Sequence, residues 1–213
     1  MRTFLHFVTF TILGGAACYA DKFQIVYAVN VDKGESYINA TNTGANGVPS
    51  LGPGFGGPNG NICLNVYGFS PDEQLVSCCS CLITPNGLVS LSVTNDVLIN
   101  TLTGIRPNSA VIKLVATASA PGNSFTTNCT NSAALAGTPN NVVVGGSQAW
   151  GTTLHAPAVL GGSFVTTEVP ALEATLNPQE LLSITSRCAN IIGNGSSYGL
   201  CRSCRNGGQS VER

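Results

Sequence analysis

The chain has 213 residues, of which only 9% are charged and 43% are hydrophobic, and its formal net charge is −1. An average globular protein has about 25% charged residues, and a nucleic-acid-binding surface needs clustered Lys and Arg side chains. The composition therefore excludes nucleic acid as an expected partner. Its hydrophobic content also argues against an intrinsically disordered chain.

Residues 1–20 have the layout of a cleavable signal peptide. Arg2 precedes an apolar run over 4–13, and small residues follow before Asp21. The run is too short to cross a bilayer, which takes about 20 apolar residues. We expect cleavage before Asp21, so that 21–213 form a single secreted β-rich domain without a transmembrane segment.

The export signal has an alternative interpretation in which Cys18 is lipidated. Gly15-Ala16-Ala17-Cys18 approximates a lipoprotein motif, but Gly15 stands where Leu is usual, and the chain after Cys18 runs into a strand pattern without a tether. Signal peptidase cleavage is the favoured interpretation. We expect a secreted protein, whether extracellular, periplasmic or at the cell surface.

Alternating apolar residues predict strands through much of the chain. In the first strand, one face carries every second residue, namely Phe23, Ile25, Tyr27, Val29 and Val31. The predicted strands are 22–31, 36–41, 62–69, 74–82, 112–116 and one or two segments within 163–176. Residues 88–102 fit either a strand through Val93 and a turn, or a short helix. The Gly- and Pro-rich stretch 43–61 predicts a long loop, and 119–150 is again polar and Gly-rich.

A single helix is predicted over 178–192. Asn177 suits the N-cap, Pro178 the first turn and Gly193 the stop, while Glu180 completes a capping box. The apolar positions at helical spacing are Leu181, Ile184, Cys188 and Ile191. The fold class predicted from these patterns is mainly β, with antiparallel sandwich-like sheets and one C-terminal α-helix that points Cys188 into the core.

Eight cysteines follow Cys18, and an even number in an exported chain predicts a disulfide framework. The disulfide candidates are Cys63, Cys78, Cys79, Cys81, Cys129, Cys188, Cys201 and Cys204. The first four surround a predicted hairpin, and the last three surround the helix. The pairing is open, but neighbours Cys78 and Cys79 point to opposite faces of a strand and should take different partners. We expect Cys129 to join the C-terminal group of three.

Metal binding and redox chemistry are weaker interpretations of these cysteines. Cys201-x-x-Cys204 with Cys188, or Cys78-Cys79-x-Cys81, would offer thiolates to zinc or iron. Neither group has the paired spacing of a zinc ribbon, and Cys201-x-x-Cys204 follows a helix instead of preceding one. We therefore expect no metal ligands and no cofactor.

No catalytic set emerges from the spacing of titratable residues, and no catalytic residue is predicted. His155 is the one histidine outside the signal peptide, and no Gly-x-Ser-x-Gly motif accompanies it. The other candidates are acidic pairs, which are better interpreted as solvated side chains than as glycosidase or calcium groups. They are Glu168 with Glu173, Asp32 with Glu35, and Asp72 with Glu73.

Two segments, 61–67 continuing through Pro85-Asn86-Gly87-Leu88, and 195–204, resemble exported bacterial proteins of unassigned function. The resemblance covers about half of the mature chain and implies export without implying an activity. We predict a structural or adhesive, non-enzymatic protein whose partners are cell-surface or matrix components. The alternative is an extracellular hydrolase or carbohydrate-binding module that uses a loop around Trp150 and His155.

Overall fold

In the computed structural model of the protein, the described residues are 23–48, 60–118, 129, 143–157, 159, 161–175, 177–191 and 201–204. The expected signal peptide and most of the expected loop at 43–61 lie outside them. The elements in chain order are β1 (Phe23–Ala28), β2 (Ser36–Asn42), β3 (Ile62–Phe69), β4 (Leu75–Ile83), β5 (Leu88–Ser92), a π-helical turn (Val93–Val97), β6 (Ala110–Ala118), β7 (Ser147–His155), β8 (Val165–Pro170), β9 (Leu172–Glu173) and α1 (Pro178–Ile191).

The strands form two sheets in which each neighbouring pair is antiparallel. The five-stranded sheet has the order β4-β3-β6-β1-β9, and the four-stranded sheet has the order β5-β2-β7-β8. The sheets pack face to face, and α1 covers the outer face of the five-stranded sheet. The predicted fold class, a mainly β protein with antiparallel sandwich-like sheets and one C-terminal helix, is confirmed.

The five-stranded sheet is buried on both faces because each of its faces has a covering layer. Along β3, Leu64 and Val66 point to the core between the sheets, whereas Tyr67 points to the layer under α1. Every residue of β4 is buried. These two strands therefore lack the apolar and polar alternation of a strand that has one face in water.

The alternation predicted for the first strand holds over a shorter range. β1 ends at Ala28, and Tyr27 and Val29 are about half exposed. The residues of β1 in the core between the sheets are Val26 and Ala28, while Phe23 packs in the layer under α1. The face predicted to be buried is therefore only partly so, because β1 has packing layers on both sides and both parities of residue are apolar.

Residues 88–102 combine both of the structures that the sequence allowed. β5 covers Leu88–Ser92, and the chain then makes the π-helical turn Val93–Val97. The side chain of Ser92 accepts a hydrogen bond from the backbone N–H of Asn95 at 2.9 Å, so Ser92 caps this turn.

α1 begins and ends close to the predicted bounds, at Pro178 and Ile191. The Asn177 side chain accepts a hydrogen bond from the backbone N–H of Gln179 at 2.8 Å, as expected of an N-cap. The carboxylate of Glu180 forms an ion pair with Lys113 of β6. This pair ties the first turn of the helix to the sheet on which it packs.

The eight cysteines that follow Cys18 form four disulfides, and three of these bonds join the two groups recognised in the sequence. The pairs are Cys63–Cys129, Cys78–Cys188, Cys79–Cys201 and Cys81–Cys204. Neighbours Cys78 and Cys79 take different partners, as predicted. The disulfide of Cys78 lies under α1, and that of Cys79 lies in the core between the sheets.

The prediction that Cys129 joins the C-terminal group is wrong, because Cys129 pairs with Cys63 of β3. The reason is the alternation of side chains along β4. One cysteine of β4 faces the helix and two face the C-terminal segment, so all three cysteines of the C-terminal group form disulfides with β4. Cys63 is then the partner left for Cys129.

The C-terminal segment 201–204 lies along the outer edge of β4. The backbone N–H of Cys201 donates to the carbonyl of Ser80 at 3.0 Å. Asp96, which is buried in the π-helical turn, accepts hydrogen bonds from the backbone N–H and the hydroxyl of Ser203 at 2.9 and 2.7 Å. This edge of the five-stranded sheet is thus covered by two disulfides and a buried carboxylate.

Candidate functional site

Trp150 and His155, which were expected in one loop, both lie on a strand, β7 (Ser147–His155). The prediction of a loop there is wrong. The inward positions of this strand include Ala149 and Gly151, which are too small to give a recognisable hydrophobic pattern. They must be small because the sheets approach closely: a Cβ atom at Gly151 would lie 2.8 Å from Cγ1 of Val26.

The two residues also point to opposite faces of the four-stranded sheet, since an odd number of positions separates them. Trp150 points to the outer, solvent-facing side. His155 points to the inner side, where its Nε2 lies 2.9 Å from Oγ1 of Thr167. A single site therefore cannot use both side chains.

The outer face of the four-stranded sheet carries a row of hydrogen-bonded polar side chains that crosses all four strands. The Ser90 hydroxyl donates to Oδ1 of Asn39 at 2.7 Å, and Nδ2 of Asn39 donates to the Thr152 hydroxyl at 2.9 Å. The Thr152 hydroxyl in turn donates to the carboxylate of Glu168 at 3.2 Å. We call these four residues the polar row, and each of its members restrains the rotamer of the next.

Two aromatic side chains flank the polar row on the same face. Tyr37 is opposite Thr152 in the register of β2 and β7, and Trp150 is opposite Asn39. Tyr37 and Trp150 are therefore diagonal neighbours, within reach of one another. Both are only partly buried. We call the polar row together with these two aromatic residues the aromatic-polar face.

This face has the chemistry of a surface that binds flat, polar ligands. Aromatic rings offer apolar area to the C–H face of a ligand ring, and the neighbouring hydroxyl, amide and carboxylate groups offer hydrogen bonds to ligand hydroxyls. Of its members, the sequence singled out Trp150 and Glu168. The signal that would have found Tyr37 and Asn39 is their shared parity in the predicted strand 36–41.

The structure separates one of the acidic pairs and gives a member of another pair a structural role. Glu168 is on β8 in the four-stranded sheet and Glu173 is on β9 in the five-stranded sheet. Glu35 accepts hydrogen bonds from the hydroxyls of Ser92 and Thr94. These contacts give Glu35 a structural role in holding the π-helical turn against β2.

Neither set of weak metal candidates forms one cluster, but one cysteine of the set on β4 lies beside two of the C-terminal set. The sulfur atoms of Cys81, Cys201 and Cys204 all lie within 4.8 Å of one another and are buried. Each of them is bonded to another sulfur. A disulfide sulfur offers no thiolate to a metal ion, so in the oxidised protein this cluster is a pair of cross-links.

Tyr67 is a buried polar group that no described residue satisfies. It lies in the layer under α1, and its hydroxyl has no hydrogen-bond partner in the described part of the chain. Desolvation by burial raises the pKa of this phenol well above its ordinary value of 10.0.

Comparison of the chain with protein-family models, curated proteins and solved structures gave no match. Among the residues that the structure describes, no helix is long and apolar enough to cross a membrane.

Proposed function

We propose that this protein is a secreted, non-enzymatic adhesive protein that binds polysaccharide through the aromatic-polar face. The observation that supports the proposal is the position of Trp150, partly exposed beside the hydrogen-bonded polar row. A flat sugar ring has an apolar C–H face and a rim of hydroxyl groups. It needs an apolar platform with polar groups at its edge, which this sheet face provides.

The rigidity of the face also favours binding. Asn39 is held from both sides, by Ser90 on one neighbouring strand and by Thr152 on the other. Side chains that are already ordered lose little conformational entropy when a ligand binds. This smaller loss of entropy matters most for a weakly bound ligand such as a sugar, because each of its contacts contributes little binding free energy.

Export is part of the proposal and is supported by two observations. Residues 1–20 have the pattern of a signal peptide, and eight cysteines are paired in four disulfides, which persist in oxidising compartments. The resemblance to exported bacterial proteins of unassigned function agrees with the same compartment. Cell-surface or matrix polysaccharides are the partners that this location would supply.

The test is co-sedimentation of the disulfide-bonded protein with insoluble polysaccharides, namely peptidoglycan sacculi, cellulose and chitin. We expect at least one of them to remove the protein from solution, and Trp150→Ala to weaken that binding about tenfold, because stacked aromatic area supplies most of the affinity.

The matched control compares two tyrosines. Tyr37→Ala should weaken binding, whereas Tyr27→Ala should not, because Tyr27 is exposed on β1 of the other sheet. Equal binding by the wild type and Trp150→Ala, or no binding to any of the three polysaccharides, would overturn the proposal.

A further inference from the structure

A groove with an apolar lining opens between the two sheets, at the side of the sandwich where β8 and β9 lie. Its volume is about 300 Å³. The apolar side chains that line it come from both sheets, and they include Ile25, Tyr27, Val29, Val169, Pro170 and Leu172. We call this the edge groove, and it is on the opposite side of the four-stranded sheet from the aromatic-polar face.

The edge groove exists because the five-stranded sheet is incomplete next to β1. β9 pairs with β1 only at Gln24 and Ile25. Before that point the chain belongs to the other sheet, where Pro170 pairs with Trp150. The chain therefore crosses between the sheets near Ala171, and among the described residues no strand pairs with the β9 side of β1 at Tyr27 and Ala28.

The apolar surface that results is unusually exposed. All six residues of β8 are exposed, and Val169 and Leu172 keep 56% and 53% of their surface in contact with solvent. Contiguous exposed apolar surface on a folded protein generally marks a binding site. The groove is also at the small end of the range for pockets that bind small molecules.

A second pocket of about 310 Å³ adjoins the edge groove, and we call it the polar pocket because polar side chains are part of its lining. The two cavities share Thr153 and His155, and the polar pocket adds Lys33 and Asn30 to its lining. No carboxylate is among the described residues that line either cavity. Lys33 also has no ion pair within the described part of the chain.

The geometry points to a binding site for an unbranched alkyl chain that ends in a carboxylate, such as a medium-chain fatty acid. The chain lies in the edge groove, and the carboxylate reaches the polar pocket, where Lys33 supplies the opposite charge and His155 and Asn30 supply hydrogen-bonding groups. The apolar lining of the edge groove and the polar side chains of the adjoining pocket match the two ends of decanoate, which therefore serves as the probe.

An alkyl chain fits this site better than an added peptide strand. The lining of the edge groove consists mainly of apolar side chains, whereas an added strand must find backbone hydrogen-bond partners along its whole length. A single alkyl chain needs no backbone hydrogen bonds and is thinner than a strand.

The test is isothermal titration calorimetry of the disulfide-bonded protein with decanoate, 1-decanol and decyltrimethylammonium. We expect saturable binding of decanoate at one site, binding of decanol about tenfold weaker, and no binding of the cation. Decanol binding as tight as decanoate would overturn the assignment of Lys33. Absence of saturable binding by decanoate would overturn the whole proposal.

Matched variants locate the site. Leu172 and Leu182 are equally exposed, at 53% and 52%, but Leu182 is on α1. Leu172→Gln should weaken decanoate binding about tenfold, and Leu182→Gln should leave it unchanged. Lys33→Gln should weaken decanoate but not decanol, while Arg187→Gln on α1 changes neither. Equal effects within either pair would contradict the location.

A measurement on the wild type guards against a variant that fails to fold. Acetic anhydride modifies exposed lysine amines, and peptide mass spectrometry reports each site separately. Decanoate should protect Lys33 and leave Lys113, which is paired with Glu180 on the far side of the five-stranded sheet, unchanged. Lack of protection of Lys33 at saturating decanoate would overturn the proposal. Polysaccharide binding and decanoate binding use opposite faces, so either can fail alone.

Discussion

The two sheets of this protein differ in how completely they are covered. The five-stranded sheet has a second sheet on one face, α1 on the other and the C-terminal segment along one edge. Among the described residues, the four-stranded sheet is covered on one face, and its last strand, β8, is exposed along its whole length. All four disulfides involve β3 or β4. The residues that determine stability and the residues that bind ligands are therefore expected in different halves of the molecule.

The largest difference should come from the same substitution made in the two halves. Leu64→Ala, at a fully buried site on β3, should lower the free energy of unfolding by about 2–5 kcal/mol through lost burial and the cavity left behind. Leu172→Ala, at the rim of the edge groove, should change it by less than about 0.5 kcal/mol. Urea denaturation of both variants measures this, and similar losses would contradict the division of roles.

Removal of one cross-link should have the next largest effect. The double variant Cys79→Ser with Cys201→Ser opens a loop of 122 residues and leaves every other cysteine with its partner. We expect a loss of about 2–4 kcal/mol, because the unfolded chain regains conformational freedom. Denaturant unfolding measures the loss, and an unchanged midpoint would contradict it.

The state of the cysteines has its own check. Intact mass spectrometry of the mature protein should show eight hydrogen atoms gained on reduction, since four disulfides are present. A smaller gain would mean that at least one pair is not bonded and that the five-stranded half is less strongly cross-linked than the structure indicates.

The smallest effect concerns the buried hydroxyl of Tyr67, which lowers the stability of the five-stranded sheet. Tyr67→Phe should leave stability at neutral pH unchanged or raise it by about 1 kcal/mol, because the buried hydroxyl has no partner among the described residues. The phenol of the unfolded chain ionises as the pH rises above about 10, while burial keeps the phenol protonated in the folded protein. Wild-type stability should therefore fall above pH 10.

The matched measurement is urea denaturation at pH 8 and pH 11 for Tyr67→Phe and for Tyr37→Phe. Only the first substitution should reduce the loss of stability at pH 11, because Tyr67 is fully buried and Tyr37 is not. If both variants lose as much stability at pH 11 as the wild type does, a group other than Tyr67 causes the loss.

Sequence patterns were most informative where packing imposes a regular apolar pattern. β3 was predicted with its observed bounds because it is a short, mainly apolar run between turn residues, and α1 within one residue because its apolar residues repeat at helical spacing. β7 was missed, because the close approach of the sheets requires Ala149 and Gly151 on its inner face. Small residues at such contacts remove the signal that marks a strand.

The candidate binding faces were only partly predictable for a related reason. Trp150 was recognised as a possible ligand contact, but it was grouped with His155, which is five residues away and on the other face. Tyr37 and Asn39 were not recognised, because their strand joins β7 only through a pairing between residues more than 100 positions apart. A side chain's neighbours on a sheet surface come mainly from other strands.

The sequence by itself determined the class of fold, the single helix and the number of available disulfides, because these depend on local periodicity and on counting cysteines. Only the tertiary structure decided which cysteines pair, which face of each strand is covered and where the edge groove opens. Those properties depend on the order of the strands and on where the chain crosses between the sheets near Ala171. Both are set by contacts between residues that are distant in sequence, and a local sequence pattern does not reveal such contacts.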